Sequence, residues 1–407
     1  VSRKLIPFMV MLIAAFYGWR EFSNGRWTFG PTPPPVQVAT LVVRSNLAAS
    51  VLVNGQSRGV VTKTSPVKLE LDPGTYTVRL VSQITDPHEF QITLGAGERL
   101  ERQVTLALRI SGNLADVRVR TNDELVRAVA VARTGAKITL EAGEYLLPQG
   151  LELKKPVTLI GQGRDNTRVV SEAGRFVVKF DSWGVFAVRG IRFEHRGRQP
   201  SDVLVVEKGT IEIDACQFTG AVRNAGQQAN FGDGLWVRGI VLGTVKDSVF
   251  DNNGLHGLEL QEKARLTLQG NTFERNTQNG LSFFGESGGE ARGNTSRLNG
   301  LHGISVNEDA LVTVLNNTLE QNTEVGLRYS GNAWGTASGN IIRDNKLSGI
   351  AINDRARPTL IANTSTGNGS YGLYVAQTAR ALIGAGNVFR NNAKGDVQDL
   401  RKPVTRP

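Results

Sequence analysis

The chain has 407 residues, 40% hydrophobic and 21% charged, which excludes wholesale disorder and leaves room for two or three domains. Its 46 glycines follow no every-third-residue pattern, so they signal turns and exclude collagen, and the single cysteine, Cys216, excludes an internal disulfide framework or a multi-cysteine zinc site. A formal charge of +10 favours nucleic acid, anionic lipid or acidic polysaccharide as partners without choosing among them.

Residues 1–30 begin with Arg3-Lys4 and run from Leu5 to Trp19 without a charge. This is a basic start followed by an apolar stretch, as in a signal peptide. No small-x-small cleavage pattern follows, and the Phe16-Tyr17-Gly18-Trp19 cluster suits a membrane interface, so the segment reads as an uncleaved anchor, a cleaved signal or a buried terminal helix. The first two place the rest of the chain outside the cytoplasm, periplasmic or at the cell surface, which argues against nucleic acid. Residues 31–37 carry Pro31, Pro33, Pro34 and Pro35 and read as a stiff linker.

Residues 38–109 alternate short β-type runs with turn signals. Asn54-Gly55 and Asp72-Pro73-Gly74 are tight turns between Ser50–Val53, Val67–Leu71 and Thr75–Leu80. This pattern predicts a small antiparallel β-sandwich. The run Ser50-Val51-Leu52-Val53-Asn54-Gly55, with Ser65-Pro66 and Leu71-Asp72-Pro73-Gly74-Thr75-Tyr76, resembles a PEGA-type domain. That resemblance implies an extracytoplasmic spacer or surface module without chemistry of its own.

Residues 118–136 hold the one soluble helix the sequence supports. Thr121 and Glu124 form a capping box ahead of Leu125–Ala132, and Gly135 ends the helix. Its apolar face predicts a cap on the first coil of the domain that follows. Residues 137–395 consist of short strands, and their second half repeats every 23 residues. Gly234, Gly257, Gly280, Gly303, Gly326, Gly349 and Gly372 form one series, which Gly395 continues. Asn253, Asn276, Asn299, Asn322, Asn345, Asn368 and Asn391 form a second; Asn271, Asn294, Asn317, Asn340 and Asn363 form a third, reached from Ser248 by the same step. Cys216 precedes Phe218 as Ser248 precedes Phe250, so the thiol is read as a buried small residue. A repeat of this length built from short strands is a solenoid. Two strands and two asparagine positions per repeat predict stacked coils with hydrogen-bonded amide ladders.

These repeats closely resemble the right-handed parallel β-helix of pectin-lyase-like proteins, and Thr134–Tyr145 with Leu159-Ile160-Gly161-Gln162-Gly163 resembles their amino-terminal cap. The expected fold class is therefore all-β: a right-handed parallel β-helix, a solenoid of about ten 23-residue coils, behind the small sandwich, with a polar tail at 396–407. The resemblance implies a scaffold that hosts lyases, hydrolases, epimerases and non-enzymes, so it leaves the activity open.

Stacking identifies which outward residues are neighbours. The residue before each ladder glycine is Asp233, His256, Asn279, His302, Val325, Ser348 or Tyr371; two after it stand Trp236, Glu259, Ser282, Ser305, Arg328, Ala351 and Tyr374. Asp233, His256 and Glu259 are the candidate acid–base groups if the protein is an enzyme, and Trp236 and His302 candidate ligand contacts. Extra residues between Phe218 and Phe250, and the His195–Arg198 stretch, predict loops walling this groove. Arg196, Arg198 and Arg223 there are candidate carboxylate or sulfate contacts. No spacing suits a metal site, and no cofactor is expected. The leading expectation is a non-catalytic envelope module binding polysaccharide, an acidic one included; a lyase, epimerase or hydrolase of acidic glycans and a protein-interaction scaffold are the alternatives.

Overall fold

The structure is a computed structural model that describes residues 37–82, 84–110, 114–224 and 231–402, and the backbone of Arg20–Ser23 and Arg26–Phe29, which pair as an antiparallel hairpin. The apolar run Leu5–Trp19, the proline linker up to residue 36 and the end of the polar tail lie outside the described residues. No described helix is long and apolar enough to cross a membrane. The chain divides into two compact units, 1–109 and 110–407.

In the first unit, Ala39–Ser45 lies between Val67–Leu71 and Arg99–Val104, facing a four-stranded sheet of Gln56–Val61, Ala49–Val53, Gly74–Val81 and His88–Leu94. Leu41, Val43, Val51, Val53, Val78 and Leu80 fill the space between the sheets. One pairing departs from the antiparallel expectation: Ala39–Ser45 and Arg99–Val104 run parallel. Asn54 sits at φ 49° and Gly55 at φ 81°, the left-handed pair that the Asn-Gly turn requires.

The second unit is a parallel β-solenoid. A typical coil contributes Leu258–Leu260, Arg265–Gln269 and Thr272–Glu274, and each strand pairs in register with its counterpart 23 residues later. Counterparts of the first two strands merge into a 20-stranded sheet, and those of the third form an 11-stranded sheet, so at least eleven coils stack. In the earlier coils the first two strands are continuous, as in Arg175–Arg189, Ser201–Asp214 and Leu235–Lys246. Helix α1 (Asn122–Val131) buries Leu125, Ala128 and Val129 at the start of the solenoid, after a strand at Asp116–Val119 that the sequence reading did not place. Thr121 caps it by accepting the Glu124 N–H; Glu124 reaches back to the Arg120 N–H (2.7 Å), one residue earlier than a standard capping box.

Three kinds of column hold the coils together. Inside, Phe193, Phe218, Phe250 and Phe273 stack with ring centroids 5.0–5.4 Å apart. At one corner each asparagine Oδ1 accepts both the backbone N–H and the Nδ2–H of the asparagine one coil earlier, at 2.8–3.2 Å from Asn253 through Asn368. A parallel ladder runs from Ser248 through Asn271 to Asn363, and Cys216 donates its backbone N–H to Ser248 Oγ. Burial pushes the Cys216 thiol up to about 12, as suits a packing residue.

The last coil corrects the expected register. It holds 24 residues, so Asn368 bonds to Asn392, not Asn391, and Asn363 bonds to Asn387. Gly395 accordingly pairs with Tyr371 and leaves the glycine column. The glycine column itself is a matter of space. A Cβ on Gly257 would lie 2.6 Å from the Gly280 carbonyl oxygen, and one on Gly303 would lie 2.6 Å from that of Gly326.

Candidate functional site

On the outer side of the first strand of each coil, Val205, Trp236, Glu259, Ser282, Ser305, Arg328, Ala351 and Tyr374 stand in one register-aligned row, as the 23-residue step requires from Trp236 onward. Beside this row runs the column Asp233, His256, Asn279 and His302. Stacking predicts these as outward groups; all four are buried, and their hydrogen bonds show what they do.

Each side chain in that column accepts the backbone N–H of its counterpart one coil later. Asp233 Oδ1 takes the His256 N–H (2.9 Å), His256 Nδ1 that of Asn279 (3.2 Å), Asn279 Oδ1 that of His302 (3.1 Å), and His302 Nδ1 that of Val325 (3.3 Å). Asp202, which the 23-residue count does not reach, heads the column: its Oδ1 accepts from Gly232 (2.8 Å) and Asp233 (2.9 Å). Because Nδ1 accepts, the imidazole proton sits on Nε2, facing Glu259 Oε1 at 3.4 Å from His256 and Glu324 Oε2 at 3.4 Å from His302.

The first coils of this column bring three carboxyls together. Burial pushes Asp202 up to about 7, and burial with the nearby Asp202 charge pushes Glu259 up to about 7. Asp233 is raised well above the ordinary carboxylate range by burial, then by Glu259 and Asp202. Burial, with the Arg223 charge, drives His256 down to about 3. Asp202, Glu259 and His256 are therefore mostly neutral near pH 6, and Asp233 is shifted in the same direction as the other two carboxyls. Glu259 Oε2 accepts from Gln261 (2.8 Å), while Asp202 Oδ2, Asp233 Oδ2 and Trp236 Nε1 are buried without a partner.

The other candidates separate. Arg223 lies by this cluster, its backbone packed against Gly232 and Gly254, with its side chain exposed. Arg196 belongs to the outer face of the 11-stranded sheet, where it forks onto Glu144 (3.0 and 2.9 Å) and meets Glu194. It is thus removed from the groove that the sequence assigned it to. Arg198 is exposed on the intervening loop. The Trp236 ring carries the Arg238 guanidinium at 4.5 Å from its centroid, and Arg238 is held by Glu207, so one face of that platform is already covered.

The open part of the groove lies further along. A cleft of about 540 Å³ is lined by His302, Glu324, Arg328, Asn353, Tyr371 and Tyr374, among others. The two tyrosine rings stand 6.4 Å apart. Arg328, Tyr371 and Tyr374 belong to the 23-residue rows legible in the sequence, but the inserted loops precede Asp233 and Trp236.

Residues 181–334 match the family model described as right handed beta helix region, and residues 38–109 match the PEGA domain. The protein is a parallel β-helix protein with an amino-terminal PEGA domain. Its β-helix shares its fold with the Dettilon tailspike protein (13% identity over 68% of this chain and 64% of that one, TM-score 0.53), with the periplasmic alginate epimerase AlgG (15%, 67% and 67%, 0.50) and with Geobacillus virus E2 ORF18 (12%, 79% and 68%, 0.50). At these identities the likeness is one of fold. No curated protein sequence matches the chain. Residues 282–400 also match a family described as periplasmic copper-binding protein (NosD). A copper centre does not fit them. They contain one histidine, His302, whose Nδ1 is already engaged, and neither cysteine nor methionine. No cluster of three or more His, Cys, Asp or Glu able to hold a metal ion occurs among the described residues.

Proposed function

We propose that the β-helix protein is an exported, non-catalytic module that holds a polysaccharide chain along the outward groove of its solenoid. The observation that carries this reading is the cleft at Arg328, Tyr371 and Tyr374. It combines two aromatic faces with amide, carboxylate and guanidinium groups, which suits a sugar ring with an apolar face and a rim of hydroxyls. The groove follows the stacking axis, so successive coils offer successive contacts to an extended polymer. Export is supported by the basic and then apolar opening of the sequence and by the periplasmic family description matched by residues 282–400.

Against catalysis by Asp233, His256 and Glu259 stand their own commitments. Asp233 Oδ1 and His256 Nδ1 accept backbone N–H groups between coils, and all three side chains are buried. A general base must reach the proton it abstracts. The test is calorimetric titration of the full chain with a panel of envelope and algal polysaccharides, alongside assays for new reducing ends and for unsaturated products. Binding that weakens at least tenfold in Tyr374→Ala, without turnover, is expected. Turnover abolished by Glu259→Gln would overturn the non-catalytic reading, and absence of binding to every glycan would overturn the reading as a whole.

A further inference from the structure

Several arginines on the outer faces of this solenoid are paired with a carboxylate. Arg238 meets Glu207, Arg297 meets Glu274, Arg343 meets Glu320, and Arg196 meets Glu144. Arg328 does not. It is half-buried in the cleft, Nη1 donates to Asn307 Oδ1 (2.8 Å) and Nη2 to Ser330 Oγ (3.0 Å), and no carboxylate oxygen among the described residues lies within 4.0 Å of its guanidinium.

The neighbouring acids are occupied elsewhere. Asp354 accepts from Ser330 Oγ (2.6 Å) and the Gly331 N–H (2.9 Å), and Arg328 acts on it only at longer range. Glu324 faces His302 Nε2 at 3.4 Å. The residues above and below Arg328 in its row are Ser305 and Ala351, both small, so the fork is not covered from either adjacent coil. Two neutral acceptors thus hold the guanidinium at the edge of the cleft with no carboxylate paired to it directly, Asp354 acting only through Ser330 and at longer range. A partly desolvated cation of this kind gains most from an anion that matches its fork.

We infer that Arg328 is the anchor of a subsite for an acidic sugar, binding the carboxylate of a uronate unit while Tyr371 and Tyr374 hold its ring. This rests on the polysaccharide-binding reading and narrows its substrate class. It also moves anion recognition from the expected Arg196, Arg198 and Arg223 to a single residue several coils along the groove.

The experiment titrates the full chain with polygalacturonate and alginate as carboxylated probes, dextran sulfate as a sulfated one and dextran as a neutral one. Carboxylated chains are expected to bind at least tenfold more tightly than dextran, with affinity falling as salt rises from 50 to 200 mM. Arg328→Gln is expected to remove that preference and flatten the salt dependence, while Arg343→Gln, on the other sheet, leaves both unchanged. Arg328→Lys, which keeps the charge without the fork, is expected to recover salt dependence but less than half of the preference. Thermal melts of each variant separate lost binding from lost folding; if Arg328→Gln melts early, the comparison rests on Arg328→Lys, whose melting point is expected to stay near that of wild type. Preference for the sulfated chain alone, or equal binding of neutral and carboxylated chains, overturns the uronate subsite while leaving polysaccharide binding standing. Binding of none overturns both.

Discussion

Three buried carboxyls in one corner of the solenoid make a definite prediction about pH. Asp202 and Glu259 are both pushed up to about 7 in the folded protein, against ordinary values near 4 when the chain is unfolded. For a group whose folded value is raised, the stabilising contribution is fully present below the unfolded value and is lost as pH rises through the folded one. The window is therefore about pH 4 to 7 for these two groups, and Asp233, also raised, contributes in the same direction. Each displacement corresponds to roughly 3–4 kcal/mol at full ionisation, and mutual repulsion makes the contributions interdependent. The histidines act in the opposite direction. His256 is driven down to about 3 and His302 down to about 4, mainly by burial, so their contribution is lost as pH falls below about 6.5. Wild-type melting alone therefore mixes opposing slopes. The informative quantity is the difference between wild type and the isosteric pair Asp202→Asn with Glu259→Gln. An amide resembles a protonated carboxyl at pH 5 but cannot ionise at pH 8. The variant is expected to gain at least about 3 kcal/mol relative to wild type between those pH values, read as a differential shift of several degrees in calorimetric melts. A difference that stays flat from pH 5 to 8 would refute the claim that the folded protein holds these groups protonated.

Asn299→Leu strands the Asn276 N–H and the Phe273 carbonyl, which Asn299 now satisfies from within the ladder. Destabilisation of about 3–6 kcal/mol is expected in chemical denaturation. Gly303→Ala places a Cβ 2.6 Å from the Gly326 carbonyl oxygen and is expected to cost about 2–3 kcal/mol. Gly293→Ala, at φ +60° with nothing within 4 Å, is expected to cost only about 1 kcal/mol in the same measurement. Cys216, buried with its thiol pushed up to about 12, is expected to resist alkylation at pH 8 until denaturant is added, as mass spectrometry of the labelled protein would show.

The 23-residue step made the solenoid legible because stacking turns a spatial column into a sequence period. Where coils are longer, the period fails. Asp202 lies 31 residues before Asp233, so counting could not join it to its column. The extra residue in the last coil likewise shifts the ladder from Asn391 to Asn392. Arg196 and Glu144 meet across 52 residues and two intervening pairings of the other sheet. Loop insertions alone placed that arginine on the wrong face, because a loop's departure point does not tell where a long side chain finds its counterion.

The two neighbouring columns differ in a way that separates architecture from recognition. Asp202, Asp233, His256, Asn279 and His302 are chemically diverse, yet each offers an acceptor atom to the same backbone N–H one coil on. Asp, Asn and neutral His are interchangeable for that bond, so their variety reflects a tolerant structural requirement and need not signal chemistry. The adjacent row has no such shared bond. Trp236, Glu259, Ser282, Ser305, Arg328, Ala351 and Tyr374 vary from a bare methyl to an indole, and the ladder asks nothing in common of them. Residues freed from architecture in this way are the ones a ligand can shape. Within the row, Trp236 is covered by Arg238 and Glu259 is engaged with Gln261 and His256, whereas Arg328 and Tyr374 face open space. A catalytic or binding role is therefore better sought where column-mates lack a common hydrogen bond than where histidine or aspartate recurs at the repeat interval.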